Sequence, residues 1–131
     1  MDACHRSELV RRVIARYTRA FAWNQDRLLE RHDLFPEVED EISSLIVENP
    51  DVCFDILLDV ARANGSKEVL GPLGAKFSVL LETQPNRFVR RLEDAVPADR
   101  ALRELLTWTN PDDPKTQPWV RIKELVSEVP W

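Results

Sequence analysis

Side chains able to do covalent or metal chemistry are few in this chain: histidines at 5 and 32 and cysteines at 4 and 53. A nucleophile needs a base within hydrogen-bond reach and a third group to orient that base, and neither histidine lies in a recognisable nucleophile motif. His32-Asp33 could begin a metal phosphohydrolase centre, but such a centre needs further histidine ligands, and this chain lacks them. Cys4-His5, His32 and Cys53 give no CxxC or HxxxH spacing for zinc. No Glu-x-x-His pair accompanies the carboxylates, so a metal centre in a helical bundle is not expected either. Gly71-Pro72-Leu73-Gly74 has the wrong spacing for a phosphate loop or a dinucleotide fingerprint and no strand before it. It reads as a bend that lets two helical segments pack closely. The chain is therefore expected to be no enzyme, with no catalytic residue, no metal and no cofactor.

Carboxylates are the exception, and their placement is uneven. Residues 32 to 59 hold nine acids and no lysine or arginine, whereas residues 1 to 31 carry seven arginines against four acids. Residues 60 to 131 are nearly balanced, with eleven basic and ten acidic side chains, so the net charge of −5 resides in one short stretch. Asp51, Asp55 and Asp59 recur every fourth residue and form one stripe of a helix, while Glu37, Asp40, Glu41 and Glu48 lie opposite Val38, Ile42 and Leu45 on the helix before it. Like charges at that spacing repel by a few tenths of a kcal/mol per pair, partly offset where Glu37, Asp40 and Asp51 sit in first turns. Two readings stand side by side. The patch is a solvated face, or pairs internally with Arg12, Arg16 and Arg19, or those seven carboxylates form a docking surface for a basic protein, whose association such a field accelerates. The same charges disfavour nucleic acid, which requires a basic footprint.

The elements that position these groups follow from apolar spacing. Leu9, Val10, Val13, Ile14, Tyr17, Ala20 and Phe21 recur at helical intervals and predict a first helix over 7–23. A connection, partly helical, follows to residue 35. Pro36 suits a first helical position because its missing N–H would be unpaired there, which predicts a second helix over 36–48. Asn49-Pro50 repeats that signal for a third over 50–63, stopped by Asn64-Gly65. Ser66 opens a fourth element that Gly71-Pro72 interrupts and that resumes to about Thr83, so it is expected to be broken or bent. Pro85 opens a fifth helix ended by Pro97, Ala98 or Asp99 a sixth, and a last one runs from about Trp119 to Val129 after a loop over 109–118. No stretch alternates apolar and polar residues between hairpin turns, so no strands are expected. The fold class is all-α: about seven short helices in an antiparallel bundle or stacked helical hairpins. A faint echo at an offset of 35 aligns Asn49-Pro50 through Ala61 with Gln84-Pro85 through Val96.

One domain is expected for 131 residues, divided into 1–35, a core of helical hairpins over 36–108, the loop, and the closing helix over 119–131. No apolar stretch approaches the roughly 20 residues that cross a bilayer. The N-terminus lacks the apolar run and cleavage site of a secretory signal, which predicts a cytoplasmic setting and two free thiols. Four tryptophans, at 23, 108, 119 and 131, are expected mainly in the core, with Trp131 the one to suspect of exposure.

Leu45-Ile46-Val47 before Asn49-Pro50, Phe54-Asp55-Ile56-Leu57-Leu58, Glu68-Val69-Leu70 with Leu73-Gly74-Ala75, Leu80-Leu81 and Phe88 to Glu93 are the motifs of a resemblance. Across Val38 to Trp108 the chain resembles an uncharacterised family of small bacterial helical proteins, and in character it is similar to toxin-immunity proteins. The resemblance implies a helical fold and brings no catalytic residues. The immunity analogy implies a partner toxin neutralised through an acidic surface. The alternative is a helical-repeat scaffold or self-assembling subunit that docks through apolar faces.

Overall fold

The computed structural model describes residues 3–25, 37–109 and 115–128, with side chains at 19–25 and 128 left aside. Among them are seven α-helices and no strand: α1 (Ala3–Gln25), α2 (Glu37–Glu48), α3 (Pro50–Ala63), α4 (Lys67–Thr83), α5 (Pro85–Ala95), α6 (Arg100–Thr107) and α7 (Gln117–Glu128). The connection before α2, His32-Asp33, residues 110–114 of the predicted loop over 109–118, Val129 and Trp131 lie outside the described residues. No helix among those described is long and apolar enough to cross a membrane.

The hub is α3, which packs against α1, α2, α4 and α6. Its sequence explains why: Cys53, Phe54, Ile56, Leu57, Leu58, Val60 and Ala61 are all buried. Phe54 stands among aromatics, its ring 5.2 Å from Phe77 of α4 and stacked on Phe88 of α5 at 5.6 Å. From α1, Leu9, Val13 and Tyr17 enter the same core. Full burial of one such aliphatic side chain stabilises by roughly 1.5–3 kcal/mol.

Helix boundaries follow the capping chemistry. Asn49 accepts a hydrogen bond from the Val52 N–H at 3.5 Å and Pro50 has no N–H that needs an acceptor, so α3 starts with only Asn49 between it and the end of α2. Gln84 before Pro85 adopts nearly the same backbone (φ −145°, ψ 70°) as Asn49 (φ −151°, ψ 75°), so the two proline-led helices share their entry geometry. Asp99 caps α6 through the Leu102 N–H at 3.1 Å and is also held by Arg62 at the end of α3.

Two expectations are corrected. Gly71-Pro72 does not interrupt the fourth element, since α4 runs unbroken from Lys67 to Thr83 with Pro72 inside it. Proline crowds the Cβ of the residue before it when that residue is helical, and a glycine at 71 has none. α7 begins at Gln117 rather than Trp119, taking Pro118 into its first turn, where a missing N–H costs nothing. The close packing expected of the glycine pair is realised at Gly74: a Cβ there would lie 2.4 Å from the Trp108 carbonyl oxygen, so the end of α6 rests directly on the α4 backbone.

Candidate functional site

Because Val38, Ile42 and Ile46 turn into the core, the opposite side of α2 faces outward, and Asp40, Ser43, Ser44, Val47 and Glu48 are all exposed. The single-residue joint at Asn49 then lays α3 against α2, bringing the seven predicted carboxylates onto one hairpin.

Most of them are held from within the chain. Glu37 lies 3.3 Å from Arg12 of α1, and Glu41 lies 3.4 Å from Arg12 and 2.6 Å from the His5 Nε2. Asp59 accepts from the Arg6 Nε at 2.8 Å. On the other side of α3, Asp51 pairs with Arg87 and, at 3.5 Å, with Arg91, whose Nη2 also donates to Asp55 at 2.8 Å. Asp40 and Glu48 alone of the seven have no ion-pair partner among the described residues. Of the three arginines considered as internal partners, Arg12 and Arg16 engage the hairpin, and the side chain of Arg19 is outside the description.

Sequence reasoning missed the second set of cations, Arg87 and Arg91 of α5. Their signal was present: two arginines four apart match two aspartates four apart at a constant separation of 36. It also passed over Glu39, which is joined to the Arg16 Nε at 3.3 Å and to the Lys76 ammonium of α4. Glu39 thus ties three helices together. Burial works against its charge, but the hydrogen bond and charge of Lys76, then those of Arg16, outweigh it and hold the carboxyl below its ordinary value.

Two further ionisable groups adjoin this junction. The Tyr17 hydroxyl is buried with no hydrogen bond of acceptable geometry, and burial, reinforced by the Glu39 charge, pushes its pKa well above the ordinary value. Burial likewise pushes the Cys53 thiol up to about 12, against a smaller opposing pull from Lys76. A thiol held protonated is a poor nucleophile, so Cys53 behaves as a core residue.

Exposed ion pairs are each worth about 0.2–1 kcal/mol. Arg91 does more than pair, because its guanidinium also lies 4.0 Å from the centre of the Phe54 ring, in cation–π geometry. The larger effect is on the field. With a cation against each of six carboxylates, counting Glu39, the hairpin presents a mixed-charge network, and its two carboxylates without an ion-pair partner among the described residues, Asp40 and Glu48, lie on the outer side of α2.

Among the described residues no group of three histidine, cysteine or carboxylate side chains is placed to hold a metal. A groove of about 420 Å³ between α6 and α7 is lined by Leu106, Trp119, Ile122 and Val126, and Lys123 is its one ionisable lining residue among the described residues. Large apolar side chains are exposed at Val47 (81%), Val79 (52%), Trp108 (43%) and Val120 (40%). Comparison with known protein families, with curated proteins and with solved structures returns no match.

Proposed function

We propose that this chain is a protein-binding module of the immunity or antitoxin type, meeting a basic partner such as a toxin through the outer face of its acidic hairpin. The observation that carries this reading is on α2. Asp40, Ser44 and Glu48 follow one another at four-residue intervals on its exposed side, both carboxylates lack an internal cation among the described residues, and Val47 beside them is 81% exposed. Uncommitted carboxylates around an exposed apolar side chain supply both steering and desolvation to an arriving basic surface. The clasped carboxylates then serve a second purpose, holding α2 and α3 rigid against α1 and α5, which lowers the ordering cost of docking.

The test is co-purification from the source cell at low salt, followed by titration of the isolated partner. A basic protein should be recovered, its affinity should fall with salt, and Asp40→Lys with Glu48→Lys should weaken it at least tenfold, as expected for charges central to a contact. An affinity and salt dependence left unchanged by the double variant would show the reading to be wrong.

A further inference from the structure

Resting on the protein-binding reading, we infer that the contact face continues from α2 across α4 to Trp108 and receives a basic amphipathic helix of the partner. The helices themselves establish the continuity. One flank of α4 is joined to α2 where Lys76 meets Glu39, and the other to α6 where the Trp108 backbone sits in the notch at Gly74. Between those flanks lies the outward stripe of α4, in which Pro72, Ala75 and Val79 are exposed at intervals of three and four. The Trp108 ring leans over Gly71, 3.9 Å from where a Cβ would be, and so borders that stripe directly.

Trp108 is an unusual residue to leave outside. Its main chain is fixed by the closest interhelical approach at any glycine of the chain, yet the residue is 43% exposed. A large aromatic surface held in place before binding loses little freedom on contact, which is the property of an interface anchor.

Charge identifies the occupant. Glu68 stands one turn before Pro72 and Glu104 one turn before Trp108, each on the same helical face as its neighbour, and neither has an ion-pair partner among the described residues. Asp40 and Glu48 continue the same sign on α2. Of the two lysines on α4, Lys76 is drawn back to Glu39, and Lys67 stands at the first position of the helix. An apolar strip bordered by Glu68, Glu104 and Asp40, which have no ion-pair partner among the described residues, matches a helix with leucine-like residues on one face and lysine or arginine along its edges.

The experiment titrates the isotope-labelled full chain with a synthetic Leu/Lys amphipathic helical peptide and with its Leu/Glu counterpart, at low and at high salt. The Leu/Lys peptide should bind, shifting the amides of 72–79 and the Trp108 indole N–H, and should weaken with salt; the Leu/Glu peptide should not bind. Trp108→Ala and, separately, Val79→Lys should each cut the affinity about tenfold, the range of an interface anchor. Val79 is exposed, so its variant keeps the fold if Trp108→Ala does not. Shifts confined to α2 and α3, with affinity indifferent to Val79→Lys, would overturn this inference while leaving the acidic-hairpin reading intact. No binding of the Leu/Lys peptide would overturn it too, as would self-association abolished by Val79→Lys, since the occupant would then be a second copy of the chain.

Discussion

Replacing Gly74 by alanine sets two effects of opposite sign against each other. Inside a helix the substitution ordinarily stabilises, by about 1 kcal/mol, because alanine loses less backbone freedom on folding. Here the new Cβ would lie 2.4 Å from the Trp108 carbonyl oxygen and 2.7 Å from its carbonyl carbon and its Cβ. Carbon does not approach backbone atoms so closely, and the obstacle is main chain rather than the end of a side chain, so the end of α6 must retreat by about 1 Å. Overpacking of this kind costs about 1–3 kcal/mol. Retreat also loosens Leu105 and Leu106, which are buried in the same helix and which add to the loss. The expected net result is a destabilisation of about 1–2 kcal/mol, read as a lower urea midpoint at unchanged slope and a melting temperature down by about 4–8 °C. Gly65→Ala is the control. Its Cβ would find nothing nearer than the Ala61 carbonyl at 4.0 Å, so stability should hold or rise by up to about 1 kcal/mol. A Gly74→Ala protein as stable as the parent, or more so, would refute the close approach of α6 and with it the fixed seat of Trp108.

Arg91→Ala removes the bridge to Asp51 and Asp55 and the contact with the Phe54 ring. As these contacts are partly exposed, the loss should be about 1 kcal/mol by urea unfolding, with Arg87→Ala costing less than half of that. Glu39→Gln should change the dependence of stability on pH. A carboxyl held below its ordinary 4.5 stabilises the fold above that value and loses the contribution as pH falls through its lower folded value, so the gap between parent and variant should be widest near neutrality and close as the pH is taken down through that lower value. A gap independent of pH would mean that the charge of Glu39 is not what ties α1 and α4 to α2. A thiol reagent should modify one cysteine of the native protein readily, the exposed Cys4, and reach Cys53 only on unfolding; rapid reaction of both would contradict the buried, protonated state of Cys53.

Much of the fold was legible in the residues. The period of Leu9, Val13 and Tyr17, the proline-led starts at Pro50 and Pro85, and the stop at Asn64 are local signals, and helices are formed by local interactions, so α3 and α5 fall where their caps and apolar faces put them. Locality also explains the misreadings. Pro72 breaks a helix by the rules of an isolated segment, but Val69, Leu70, Leu73, Phe77, Leu80 and Leu81 are buried along the whole of α4, and that packing outweighs the one backbone hydrogen bond a proline gives up. The acidic hairpin was visible as composition, since nine acids without a cation in 28 residues need no structure to be counted.

Which of those acids remain available was decided by tertiary structure alone. Whether Asp51 meets solvent or Arg87 depends on how α5 stacks on α3, and whether Glu41 is free depends on how α1 crosses α2; both are contacts between segments about 36 residues apart. The exposure of Trp108 was equally out of reach, because it follows from a glycine in another helix rather than from anything in its own neighbourhood. The sequence by itself determined the helices and the sign of the charge on one hairpin. Only the packing of those helices determined that Asp40 and Glu48 face outward with no ion-pair partner among the described residues while the aspartate stripe is clasped, since the energy of an ion pair depends on distance in space and not on position along the chain.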